Sequence, residues 1–205
     1  MVDPRYLEWV QASRWLAHVH PMLVDLANGL GILDSRLIEK DARMQEMFPE
    51  HTGRIEMPLE LEHRTLSLLW VLGAYELIRT LVQRLRENGG QRAEEAAEML
   101  LPTKRMLERV RVPLAKLEKA RRATETDFPI GFPVLDGAKG TGWVLRPGEH
   151  VPRRALADEL LKALNRAGEG VYGLQAAVGA QARSGQKSSA LAHRAGSRDA
   201  AETPA

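Results

Sequence analysis

Between Leu66 and Leu81 the chain reads LSLLWVLGAYELIRTL, long enough for a helix and apolar on nearly every side of it. A helix with no solvated side must be wrapped by others, so this stretch obliges the chain to build further helices around it. It is expected to run from about Pro58 to Asn88, where NGG supplies a left-handed cap. The composition agrees, because Leu, Ala, Glu and Arg abound, only 5% of residues are aromatic and β-branched residues are scarce. The expected class is all-α. The near-continuous apolar run LSLLWVLGAY is about ten residues, short of the roughly 20 that a spanning helix needs, so no membrane contact is expected. MVDPRYLEWVQ lacks the basic-then-apolar order of an export signal. The absence of cysteine removes disulfides, thiolate nucleophiles and cysteine-bound metals, which suits a cytoplasmic setting. Arginine outnumbers lysine 22 to 7, a bias that suggests a GC-rich bacterial source.

The other elements follow from punctuation. Asp3 is placed to cap a first helix with Pro4 at its first position. That helix is expected to reach Asn28-Gly29 with a kink or break at Pro21, and GLGILD to separate it from a short helix over Ser35 to Phe48. PEHTGRIEMP reads as a loop. A fourth helical region starts near Gln91 and continues to about Thr124, interrupted at Pro102 and Pro113. Beyond it, Ile130/Phe132/Val134 and Trp143/Leu145 alternate on either side of DGAKGTG, the pattern of a β-hairpin. Pro133 confines its strand to an edge, and the hairpin is expected to dock its apolar face on the bundle. VPRRALADELLKALNRAG is a last amphipathic helix, and the Gly-, Ala-, Ser- and Gln-rich end lacks the apolar residues of a core. The expected organisation is a bundle of four to five helices over 1–124, a small β-hairpin appendage over 125–150, a helix packed on the bundle over 151–167, and a disordered C-terminal tail over 168–205.

Candidate chemistry is sparse. Arg14-x5-His20 resembles the Arg-x(4–6)-His motif of HEPN-type ribonucleases, metal-independent helical enzymes in which these residues polarise phosphate and handle protons. The resemblance covers two residues and departs from the family in lying in the first helix, with Trp15 after the arginine and Pro21 after the histidine. The alternative makes His20 a core-edge histidine and leaves Arg14 and His18 solvated. Glu60-x-x-His63 has metal-ligand spacing but no second copy, and reads as a solvated helix start, so neither metal nor cofactor is expected. GAKGTG lacks the order of a phosphate-binding loop, and no serine lies in a nucleophile motif. Glu76, inside the apolar helix, is expected to pair with Arg79 in a partly buried structural pair, and Gly73 to mark close approach of another helix.

Charge carries the strongest functional signal. Residues 1–100 hold 11 Lys/Arg against 16 Asp/Glu, and residues 101–205 hold 18 against 11. Thr103 to Arg122 alone holds eight Lys/Arg and two Glu. As a helix it would present Met106, Leu107, Val110, Leu114, Leu117 and Ala120 on one face and Lys104, Arg105, Arg109, Arg111, Lys116, Lys119 and Arg122 on the other. The function expected from this is that of a non-enzymatic binding or accessory protein whose basic helix contacts an acidic partner, nucleic acid or protein. A ribonuclease using Arg14 and His20 is the competing expectation, and self-association is left open.

Overall fold

The computed structural model describes residues 3–47, 57–121, 125–136 and 139–170. These form a helical bundle with a small antiparallel sheet at its side. In chain order they are α1 (Pro4–Ser13), a 3₁₀ turn (Arg14–His18), α2 (Pro21–Met47), α3 (Met57–Asn88), α4 (Gln91–Lys116), β1 (Phe132–Asp136), β2 (Gly140–Arg146) and β3 (Glu149–Pro152). A fifth helix, α5, spans 153–170. The residues expected to form a tail lie outside the described set from 171 onward, while 168–170 finish α5.

The first two helices divide differently from the sequence expectation. Asp3 caps α1 by accepting the Arg5 N–H at 2.8 Å, but α1 ends at Ser13 rather than near Gly29. Pro21 has no N–H for the carbonyl of Ala17 and its ring would crowd it, so the chain tightens into the 3₁₀ turn and restarts with Pro21 at the first helical position. His20 caps the restart. Its carbonyl accepts from Leu23 N and its Nδ1 from Met22 N. From there α2 passes through GLGILD without interruption. Neither glycine ends the helix, and Gly31 serves packing: a Cβ on it would lie 2.5 Å from the Trp9 Cβ, so α1 crosses α2 where no side chain fits.

α3 is the central helix. By length and composition it could cross a membrane, yet half of its most apolar window is buried inside the bundle. Its inward seam is His63, Ser67, Trp70, Ala74, Leu77 and Leu81, all buried. The matching seam of α2 is Leu23, Ala27, Leu30, Asp34, Leu37, Asp41 and Met44, in alternating steps of four and three residues. Trp70 meets Trp9 edge to face at a centroid distance of 6.2 Å and donates from Nε1 to the Leu30 carbonyl at 3.1 Å. A Cβ on Gly73 would lie 3.0 Å from Leu30, the close helix approach expected there.

α4 continues through both Pro102 and Pro113. Each proline removes one helical hydrogen bond, but the buried seam Leu100, Leu107 and Val110 spans Pro102, and Val112 and Pro113 are themselves buried against the bundle. The helix ends at Lys116 rather than Thr124, where Leu117 turns left-handed at φ 55°. The expected basic face is therefore helical only to Lys116.

The sheet has the order β1-β2-β3, one strand more than expected, and β1 is an edge strand as Pro133 requires. Gly140 supplies the positive φ, 72°, that the first hairpin needs where β2 begins. Docking runs through β2, whose Trp143 and Leu145 are buried. β1 does not dock its apolar face. Phe132 lies opposite Val144 and Val134 opposite Gly142, on the side of the sheet away from Trp143, so Ile130, Phe132 and Val134 remain exposed. α5 closes the bundle with Leu156, Leu160 and Leu164, and Trp15 donates to the Leu164 carbonyl at 2.9 Å.

Candidate functional site

The chemistry-bearing side chains gather in three places. The first is a buried ion network on which five elements converge. Asp34, fully buried in the seam of α2, accepts from Arg5 Nε at 2.7 Å, from Trp9 Nε1 at 3.0 Å and from Arg153, the first residue of α5. Arg153 is itself fully buried, with its guanidinium 5.6 Å from the centre of the Trp70 ring and Nη2 3.7 Å from Asp41 Oδ2. Asp41 accepts from His63 Nε2 at 2.7 Å and from the Thr141 backbone N–H at 3.1 Å. Arg5 also reaches Asp158 on α5 at 2.7 Å.

A carboxylate holding an imidazole by its Nε2 is half of an acid–base arrangement, so access decides what the pair can do. His63 is 1% exposed, and the cavity it shares with Glu60, Arg64 and Thr141 is about 10 Å³, the room of a single water. No substrate reaches the imidazole there. The network is a lock that sets α1, α2, α3, β2 and α5 in register. His63 is thus not part of a solvated helix start, because the α2 seam delivers Asp41 to it. Asp34 and Asp41 interrupt an otherwise apolar heptad seam, and Arg153 falls on the stripe of Leu156, Ala157, Leu160 and Leu164. Charged residues on core stripes were the signal that sequence reading passed over.

The second place is the turn around Arg14 and His20. Both side chains are exposed, so His20 is no core-edge histidine. Arg14 lines an open cleft of about 450 Å³ with Gln11, Trp15, Asn165 and Glu169, whereas His18 lines a separate hollow with Asn88 and Arg92. His20 belongs to neither and turns its Nδ1 to the start of α2. Arg14 and His20 therefore share neither of these hollows. Glu76 and Arg79 do meet, at 2.7 Å, but each is 45% exposed, so the pair is a surface one.

The third place is α4. Its cations divide into two populations. Arg109 makes two forked pairs, to Asp127 and to Glu149 at 2.7–2.8 Å, which tie α4 to the segment before β1 and to β3. These bonds raise the Arg109 pKa above its ordinary value, Asp127 contributing most. They also hold the Glu149 carboxyl below the ordinary glutamate value. Arg111 and Lys104 lie over the Tyr75 ring at 4.9 and 5.8 Å, and Arg111 approaches Glu76 at 4.0 Å. Those three are occupied by the fold. Arg105, Lys116 and Lys119 are exposed, Lys116 beside Glu118 at 3.4 Å and Lys119 donating to the Glu125 carbonyl at 2.7 Å. Arg122 lies outside the described residues. Among the described residues no group of three or more His, Asp or Glu is placed to hold a metal ion. No family model, curated protein or solved structure matches this chain.

Proposed function

We propose that the chain is a non-enzymatic binding protein that contacts an acidic macromolecule through Arg105, Lys116 and Lys119. The observation that carries this reading is the spacing of Arg105 and Lys116 on α4. Eleven residues of helix bring them back to one stripe, about 16 Å apart along the axis, and both face solvent. Lys119 adds a third exposed cation three residues past the helix end. The same reading fits the basic balance of residues 101–205.

Three cations on a polyanion release few counterions, so the expected salt dependence is shallow: a log–log slope of roughly −2 to −3 on nucleic acid. The test measures association of the purified chain with single-stranded RNA, duplex DNA and polyglutamate across a salt series. The comparison is a variant carrying Arg105→Glu, Lys116→Glu and Lys119→Glu. Association is expected to disappear in the variant along with its salt dependence. Binding that survives the reversal overturns the reading, and so does RNA cleavage that Arg14→Ala or His20→Ala abolishes. Arg109 is left intact in this experiment, because reversing it would set a third carboxylate against Asp127 and Glu149 and undock the sheet.

A further inference from the structure

Beside the exposed cations lies a largely exposed apolar patch, only the Val134 end of which reaches the bundle, lining the small cavity at His63 with Met44 and Glu60. Phe132 is 51% exposed and Val134 37%, two residues apart on the outward face of β1, with Ile130 exposed just before them. Gly131 packs against Leu114, its would-be Cβ 3.0 Å from the leucine side chain, which brings the end of α4 beside the start of β1. One turn beyond Leu114, Leu117 is 65% exposed and sits between Lys116 and Lys119 in sequence. Phe132 is met from one side by the half-buried Phe128, edge to face at 5.5 Å.

We propose that this patch seats the apolar side chains of the acidic partner, which is a protein segment mixing carboxylates with large apolar residues. The inference rests on the reading of Arg105, Lys116 and Lys119 given above and adds the class of partner. Charge and apolarity alternate along the chain here: Lys116, Leu117, Glu118 and Lys119 follow the end of α4, with Glu118 beside Lys116, exposed Ile130, Phe132 and Val134 run into and along β1, and exposed Lys139 follows on the hairpin. Carboxylates on the rim and leucine-like side chains over the centre complement that order. A nucleic acid would meet the cations and could stack one base on Phe132, but Leu117, Ile130 and Val134 offer further bases no ring, so most of the patch suits aliphatic side chains. Strand addition is not the mode, because Pro133 removes a backbone donor from β1 and blunts its free edge.

Leu117 provides a clean test. A leucine in the left-handed region carries a steric penalty that glycine does not, so Leu117→Gly is expected to raise the melting midpoint while removing a contact side chain. The probes are a short synthetic peptide of leucine and glutamate, the same peptide with serine for leucine, and single-stranded RNA, each titrated against the full chain. The leucine-containing peptide is expected to bind at least about tenfold tighter than the serine peptide. Leu117→Gly and Phe132→Ser are each expected to weaken it roughly tenfold, leaving the serine peptide and RNA unaffected. Equal affinity for the two peptides, or apolar variants that bind the leucine peptide like the unaltered chain, overturns the proposal. So does RNA binding tighter than the leucine peptide, a result that keeps the cation reading while replacing the partner class. Leucine-peptide binding that survives reversal of Arg105, Lys116 and Lys119 but falls with Phe132→Ser sustains the patch and removes the cation reading instead. No association with any probe removes both.

Discussion

Asp34 stands where a leucine would complete the seam of α2, and its two oxygens are shared among Arg5, Trp9 and Arg153. Removing it strands a fully buried guanidinium whose Nε and Nη2 have no other hydrogen-bond partner. Asp34→Ala is therefore expected to cost about 3–5 kcal/mol, read from urea unfolding. Arg153 removed at the same time restores part of that loss, since no guanidinium is then stranded there, while Arg5 Nε and Trp9 Nε1 still lose their acceptor. A double variant, Asp34→Leu with Arg153→Met, that is no more stable than Asp34→Ala would show that the network holds the bundle by more than charge balance. Residue identity here matters less than company: the same aspartate on an exposed face would be worth little.

At the scale of elements, two glycines in one helix have opposite roles. Gly31 lies under Trp9, whereas a Cβ on Gly29 would meet nothing within 4 Å. Gly31→Ala is expected to destabilise by roughly 1–3 kcal/mol through overpacking, and Gly29→Ala to stabilise by up to about 1 kcal/mol through helix propensity. Denaturant midpoints of the two variants should move in opposite directions. The sheet carries a pH dependence of its own. Burial lowers the His150 pKa from its ordinary 6.5, with Asp136 opposing and Lys139 adding, and the Arg109 bonds lower that of Glu149 from 4.5. Both groups are depressed in the folded chain, so the unfolded chain binds more protons and stability falls as pH falls. The loss starts near pH 6.5 for His150 and near pH 4.5 for Glu149. Amide exchange in β2 and β3 should be faster at about pH 5 than at about pH 7 after correction for intrinsic rates, and Glu149→Gln should remove the lower step.

For the whole molecule, the ties between bundle and sheet decide how it unfolds. Arg109 joins α4 to Asp127 and Glu149, Thr141 joins β2 to Asp41 on α2, and Trp143 is buried against the bundle. A three-stranded sheet this small is marginal alone, so it should come apart with the helices. Helical circular dichroism and the exchange protection of the β2 amides are expected to share one urea midpoint. In an Arg109→Glu chain the sheet should open at lower urea than the helices, giving two midpoints where there was one. The acidic and basic halves of the chain meet through Arg153 on Asp34 and Arg111 beside Glu76, whereas Arg109 is taken up by carboxylates of its own half; both kinds of pair consume basic charge before any partner arrives.

Some of this was legible without a structure. The all-round apolarity of Leu66–Leu81 demands a central helix, Asp3-Pro4 and NGG mark helix ends by local rules, and Pro133 with DGAKGTG specifies an edge strand and a turn. These are short-range consequences of backbone and side-chain chemistry, and they hold wherever the segment is placed. Composition likewise located the basic segment. The tertiary structure alone decided which of its cations face solvent, because Arg109 is claimed by Asp127 and Glu149, 18 and 40 residues distant in the chain. It decided that Gly29 and Gly31 lie within a helix rather than ending one, since the contact with Trp9 and burial of the α2 seam outweigh the propensity cost. It turned Phe132 and Val134 outward because β2, with Trp143 and Leu145, filled the face toward the bundle. And it placed Asp34 and Arg153 together, 119 residues apart in the chain, where neither charge could be buried without the other.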